Sequence, residues 1–471
     1  MNIQNSNLIQ IQKFYDVFTQ DTIIEYSFSM QQGQKGFANI INNNFVLPLF
    51  YQLSFQTISL QLALNQSDFN LNPYSNLKTV KFSHVEFIFK GNSNSPLLIN
   101  NLNLLILDQM IIQNQLLNQL HSNIKIANLA NVLIINMTIQ NIQVLNQPLF
   151  IFQSVNKITF QNLTLEGVSL NSTLFQFIEC QNIQIQDTSV NNLKIIEGNI
   201  IQVIKNNLIQ VFNFNASQIY QVAQLQRITN LQDQQSILQN QLIEVPSILN
   251  LKGSQIISIQ NVNLYNIQDV SFVQVNNYSI GYYLQYFSNQ ISIQNINVQE
   301  LDYSKQGNYI FSITSIDANL INFKFVNVTS SNSLISVNVQ LQVLIQDSQF
   351  EEVNLLTGSL FSVQQFQLNL NQQQFTNINC SGLPCALNAI LSDLVSIQNS
   401  IFMNLNNKEN NQSKNNQLAN YKGGAIKNIK HKLDNNQQLS LLQLLIFRRR
   451  RSHLHLIVII SYIYNINVQF Y

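Results

Sequence analysis

The sequence predicts an all-β protein: a parallel β-helix solenoid of about 12–13 coils, with an irregular N-terminal cap and a non-solenoid C-terminal tail. Three observations predict it. A short motif recurs along the chain at intervals averaging about 26 residues, within the range of solenoid repeats. Apolar and polar residues alternate at period two, as in Lys157-Ile-Thr-Phe-Gln161 and Asn289-Gln-Ile-Ser-Ile-Gln294, which is the pattern of a strand with one buried face. The shortest copies are already strand-like at both ends, so a strand and a full helix do not fit in one copy.

The motif is an apolar residue, usually Gln, then Asn or Asp, two variable residues and a second apolar residue. Clear copies are Ile139-Gln-Asn-Ile-Gln-Val144, Phe160-Gln-Asn-Leu-Thr-Leu165 and Ile185-Gln-Asp-Thr-Ser-Val190. Others begin at Ile259, Ile293, Ile345 and Ile397, with weaker ones at Phe82, Ile112, Val211, Phe325 and Leu370. The widest gap lies between Val211 and Ile259, and the average assumes that it holds a degenerate copy. Ile, Val, Phe and Thr fill the alternating segments, which suits a pleated surface. Asn at a corner tolerates left-handed backbone angles, and its amide can bond to the neighbouring coil. A β-sandwich would not impose such a period.

The chain is expected to divide into a cap at 1–80, a β-helix at 81–405, a polar low-complexity loop at 406–420, and a partial last coil with a basic and apolar tail at 421–471. Within the β-helix, residues 218–246 break the pattern: Leu231, Leu238 and Val245 fall seven apart before Pro246. A helical or loop excursion from one coil is expected there.

Composition excludes several classes. The 471 residues carry a net charge of +1 and only 10% charged residues, against a basic excess in nucleic-acid binders. Asn and Gln number 72 and 61. Hydrophobic residues still reach 45%, too many for a polar disordered tract. Abundant Ile, Asn, Phe and Tyr fit an A+T-rich coding sequence, so part of the amide richness reflects codon drift. Three cysteines are too few for a disulfide framework. Cys380 and Cys385 could close a small loop around Gly382 and Pro384, leaving Cys180 as a buried apolar residue. No basic start followed by an apolar run marks the N-terminus as a signal. The longest apolar stretch near the end, Leu454–Tyr464, is short for a membrane helix.

Tyr421-Lys-Gly-Gly-Ala-Ile426 follows the last coil. Together with the period, it resembles right-handed β-helix proteins of the pectate-lyase-like superfamily, over about residues 80–430. The Gly-Gly-Ala-Ile element is similar to the repeat of polymorphic outer-membrane adhesins. The companion Phe-x-x-Asn motif of those adhesins occurs at Phe89, Phe212 and Phe366, no more often than chance gives. The resemblance implies a right-handed coil. It also implies, for enzymes of the superfamily, clustered Asp with Arg, Lys or His acting on acidic polysaccharides, sometimes with calcium.

Such clusters are not legible here. The expected rod contains one Arg, Arg227, inside the excursion, and His84 and His121 lie far from any acid cluster. Glu300 and Asp302 are the best acid pair, on one face if that segment is extended. Glu351 and Glu352 are adjacent, which in a strand would point them to opposite faces. Solvated surface acids explain both pairs, and neither the histidines nor the cysteines have metal-ligand spacing. No catalytic, cofactor-binding or metal residue is assigned, and no cofactor is expected. Arg448–Arg451 holds four of the five arginines. It reads as the basic flank of a marginal membrane segment, as a patch for an anionic surface, or as a tail translated through an intron or frame error. The abrupt end of the repeat favours the last.

The expectation is therefore a non-catalytic structural or adhesive repeat protein of a membrane or extracellular cell surface. It would meet carbohydrate or surface proteins along the rod, bind no nucleic acid, and touch a membrane through the C-terminal tail. The alternatives are a polysaccharide lyase or hydrolase on the same fold, and an intracellular self-associating Asn/Gln-rich protein.

Overall fold

In the computed structural model, residues 97–117, 124–222, 246–276, 288–303, 309–381 and 385–408 are described, with isolated strands outside these ranges. The fold is a parallel β-solenoid of about ten turns. Every described residue in regular structure is in a strand. The chain divides into two compact units, residues 1–250 and 251–471.

In the first unit, each strand hydrogen-bonds in parallel to the strand one coil away. Leu104 pairs with Asn131, Asn131 with Lys157, Lys157 with Asn182, and Asn182 with Leu208. The step is thus 25–27 residues. Strands nearer the N-terminus pair with the same step: Asn2 with Ser27, Glu25 with Gln52, and Gln52 with Thr79. In the second unit Gln290 pairs with Asp317, Asp317 with Gln342, Gln342 with Gln367, and Gln367 with Leu394.

Two steps are longer, and each has a local reason. Ile256 pairs with Gln290, and the extra residues include an antiparallel hairpin of Tyr278–Ile280 and Leu284–Tyr286. In the first unit the buried hydroxyl of Ser247 donates to Asn199 Oδ1 at 2.6 Å across 48 residues. That bond places Ser247 one coil on from Asn199. Residues 223–245, most of the expected excursion, lie outside the described residues. Residues 218–221 end a strand.

How the coil turns is visible in Asn131–Val144. Its buried residues are Val132, Ile134, Met137, Ile139, Ile142 and Val144, spaced alternately by two and by three. Strict alternation would carry the chain straight on. The extra residue at each three-step, Asn136 and then Asn141, has φ near +50°. That left-handed residue turns the strand while the next side chain still points inward. The pair recurs five residues apart in other coils: Asn162 and Gly167, Asp187 and Asn192, Asn261 and Asn266, Asn295 and Glu300, Asn322 and Asn327, Asn399 and Asn404. Non-glycine residues rarely enter this region, and Asn and Asp do so most readily. The irregular motif spacing has the same origin. Copies at Phe160 and Ile185 mark the first corner, whereas Ile139 and Phe325 mark the second.

Stacking completes the corners. The amide of Asn162 donates to Asn136 Oδ1 at 2.9 Å, and Asn213 to Asp187 at 2.8 Å. In the second unit Asn295 donates to Asn261 and receives from Asn322, both at 2.9 Å. Coils about 4.8 Å apart bring like side chains within this reach.

Inside, the same spacing stacks rings. Phe325, Phe350, Phe375 and Phe402 form a column with centroids 5.2, 5.5 and 4.8 Å apart and planes within 17°. In the first unit Phe152 stacks on Phe177 at 4.9 Å, with Phe160 edge-on to both. Offset stacks at this distance add stabilisation beyond area burial.

The corner account makes a graded prediction at Asn295. Asn295→Ala loses two ladder bonds and the left-handed tolerance, and should cost about 1–3 kcal/mol. Asn295→Gly loses the bonds but keeps the angle, and should cost less than half as much. Urea-unfolding midpoints read the order; a glycine variant no more stable than the alanine variant contradicts it.

Candidate functional site

A third corner in the first unit lies where Asn101, Asn128 and Ser154 take φ of 54°, 57° and 53°. The residue after each, Leu102, Leu129 and Val155, is buried, and the corner borders a shallow recess of about 370 Å³. Its polar lining is Asn101, Asn103, Asn128, Ser154 and Asn156, over a floor that includes the buried Leu102 and Leu129. The walls are held by inter-coil backbone bonds: Ala130 N to Leu102 O at 3.1 Å and Asn156 N to Leu129 O at 3.0 Å. Asn103, Asn128 and Asn156 are exposed. The recess has no charged lining, so its chemistry is that of amide donors and acceptors at coil spacing.

The acids singled out in the sequence are placed differently. Glu300 is itself a left-handed corner residue, φ 53°, and the strand is not continuously extended through it. Its carboxylate accepts a hydrogen bond from Tyr265, whose hydroxyl pKa is raised by that bond and by the carboxylate charge. Asp302 is also exposed, with Leu301 pointing inward between them. Glu351 and Glu352 do not face opposite sides. Phe350 and Val353 are buried, and both glutamates lie outside because Glu352 occupies a corner at φ 53°. His84, His121, Arg227 and Arg448–Arg451 lie outside the described residues. Among the described residues no group of three or more His, Cys, Asp or Glu is placed to hold a metal ion. No described helix is long and apolar enough to cross a membrane, which says nothing of strands.

Cys180 is buried, and desolvation raises its thiol pKa to about 11, so it is inert as a nucleophile at neutral pH. A buried phenol escaped the sequence reading: Tyr303 is fully enclosed and donates to the carbonyl of Val270. Only its place in the alternation, at an inward position, could have signalled it.

The chain matches no protein family model, no curated protein and no solved structure. What the site can do therefore rests on its own geometry.

Burial first, and the Asp269 charge second, hold the Tyr303 hydroxyl well above its usual range near 10. A raised folded-state pKa gives stability that is complete below the unfolded value, about 10, and is lost as pH rises through the folded one. Between about pH 9 and pH 11 the urea midpoint should fall more steeply in the wild type than in Tyr303→Phe. At neutral pH that variant should be less stable by about 1–3 kcal/mol, since Val270 loses its donor. Parallel pH profiles would contradict this.

Proposed function

We propose that this chain is a non-catalytic structural or adhesive protein of a cell surface or membrane, binding neutral carbohydrate along its amide-lined corners. The observation that carries the reading is the uncharged recess spanning Asn101–Asn103, Asn128–Ala130 and Ser154–Asn156. Amides supply donor and acceptor together, matching the hydroxyl groups of an unsubstituted sugar. A lyase or hydrolase of acidic polysaccharide needs paired acids or a cation beside its substrate. Repetition at coil spacing suits a polymer, because weak contacts in series raise affinity through effective concentration. Kinship with the pectate-lyase-like superfamily and a right-handed coil belong to the same proposal. The parallel coils and the Asn ladders support them.

Co-sedimentation with insoluble neutral polysaccharides (cellulose, chitin, β-glucan) tests the reading. The full chain should bind at least one of them, with little change on adding salt, since no charge pairing is involved. Asn103→Ala with Asn156→Ala should weaken binding severalfold, because both amides line the recess and neither is a left-handed corner. Binding only to acidic polysaccharide, lost in salt, or binding to none, would overturn it.

A further inference from the structure

We infer that Cys380 and Cys385 are joined as a disulfide in the mature protein, a covalent closure of one solenoid corner, so that the chain folds in an oxidising compartment. The two sulfurs are bonded in the structure, with Cα atoms 5.3 Å apart and both residues buried. Their positions explain why this corner has the bond and its neighbours do not.

Pairing of Tyr303 with Ser330 and of Ser330 with Leu355 sets up an inward column. Asn354 pairs with Asn379, so Cys380 is the next member of that column. On the other side of the corner, Ile335 pairs with Phe361 and Phe361 with Leu387. That register puts Ser333, Ser359 and Cys385 in a second buried column. In the two preceding coils the corner is closed by hydrogen bonds. Asn332 Oδ1 accepts from the Ser333 amide at 2.9 Å, Ser333 Oγ accepts from the Ser359 amide at 3.0 Å, and Thr357 Oγ1 donates to Ser331 O. Gly358 permits the close approach, since a Cβ there would lie 2.1 Å from the Ser333 nitrogen.

At the next coil a thiol replaces each column's side chain, Leu355 on one side and Ser359 on the other. Neither replaced side chain closes the corner itself: Leu355 is apolar, and the buried Ser359 hydroxyl has no hydrogen-bond partner. Two buried thiols make weak hydrogen bonds, whereas the bond between them closes the corner covalently. Its formation removes two protons and two electrons. One thiolate attacks a disulfide of a thiol-disulfide oxidant, and the other displaces it, releasing the oxidant as a dithiol. Such bonds persist in secretory and extracellular settings and are rare in the cytosol. The inference concerns redox state and goes beyond the surface reading without resting on it.

The test uses chain taken from the cells that make it, quenched in acid and unfolded. Free thiols are blocked with one alkylating reagent, and those released by reduction are labelled with a second. Peptide mass spectrometry should find the first label on Cys180 and the second on Cys380 and Cys385. The first label on all three overturns the inference. The corner role is read by amide exchange in the strand Leu387–Met403, which should quicken on the order of 10-fold or more in Cys380→Ser/Cys385→Ser. If that variant does not fold, mild reduction of the folded wild type gives the same readout. Unchanged exchange overturns the closure. A membrane-impermeant label on intact cells separates the two proposals. An oxidised but unlabelled chain upholds this inference against the surface reading, and a labelled chain with three free thiols does the reverse.

Discussion

A strand that turns a corner and still presents its apolar side chains inward must insert one residue that breaks the alternation. That residue has to adopt positive φ. The rest of this structure depends on meeting that requirement coil after coil. At Asn136 and Asn141 it makes inward positions of Met137 and Ile142. Without it those side chains would face water, because a single-residue slip moves a strand's whole apolar set to the other face. Asn meets the requirement cheaply among residues with a side chain, and its amide is then directed along the stack. The cost of an unusual backbone angle is offset by bonds such as Asn295 to Asn261.

This gives the amide richness of the chain two distinct sources. At corners, Asn and Asp are favoured by geometry, although Ser154, Glu300 and Glu352 also take the left-handed angle. Along outward strand positions, Gln and Asn are one polar choice among several: Thr138, Thr164, Ser189 and Asn215 occupy one outward column. Codon drift acts freely on the second group and is restrained in the first. The outcome is a solenoid whose exterior is polar and little charged, with Lys205–Glu179, 2.9 Å apart, an exception. Such a surface recognises hydroxyl groups and other amides better than it recognises ions.

The fold class was legible because period-two alternation and a coil-length repeat are both one-dimensional signals. Corner Asn residues were legible in kind, yet two corners five residues apart were read as one motif, so copies at Ile139 and Phe160 looked irregularly spaced. The reach from Asn199 to Ser247 was hidden for a different reason: a sequence does not show which distant residues bond to one another, as these two do. The outward placement of both Glu351 and Glu352 follows from a dihedral angle that alternation alone does not encode. The recess at Asn101, Asn128 and Ser154 was hidden because its lining comes from three coils and includes no residue type that stands out in this composition.

Side-chain accessibility along one stretch tests the corner mechanism most directly. Single-cysteine variants across Asn131–Val144, made in a Cys180→Ser background, would be labelled with a soluble thiol reagent in the folded state. The account predicts protection at Val132, Ile134, Met137, Ile139, Ile142 and Val144, with Asn136, Thr138, Gln140 and Asn141 reactive. Protection at every second residue throughout, including Asn136, Thr138 and Gln140, would mean an uninterrupted strand and would contradict it.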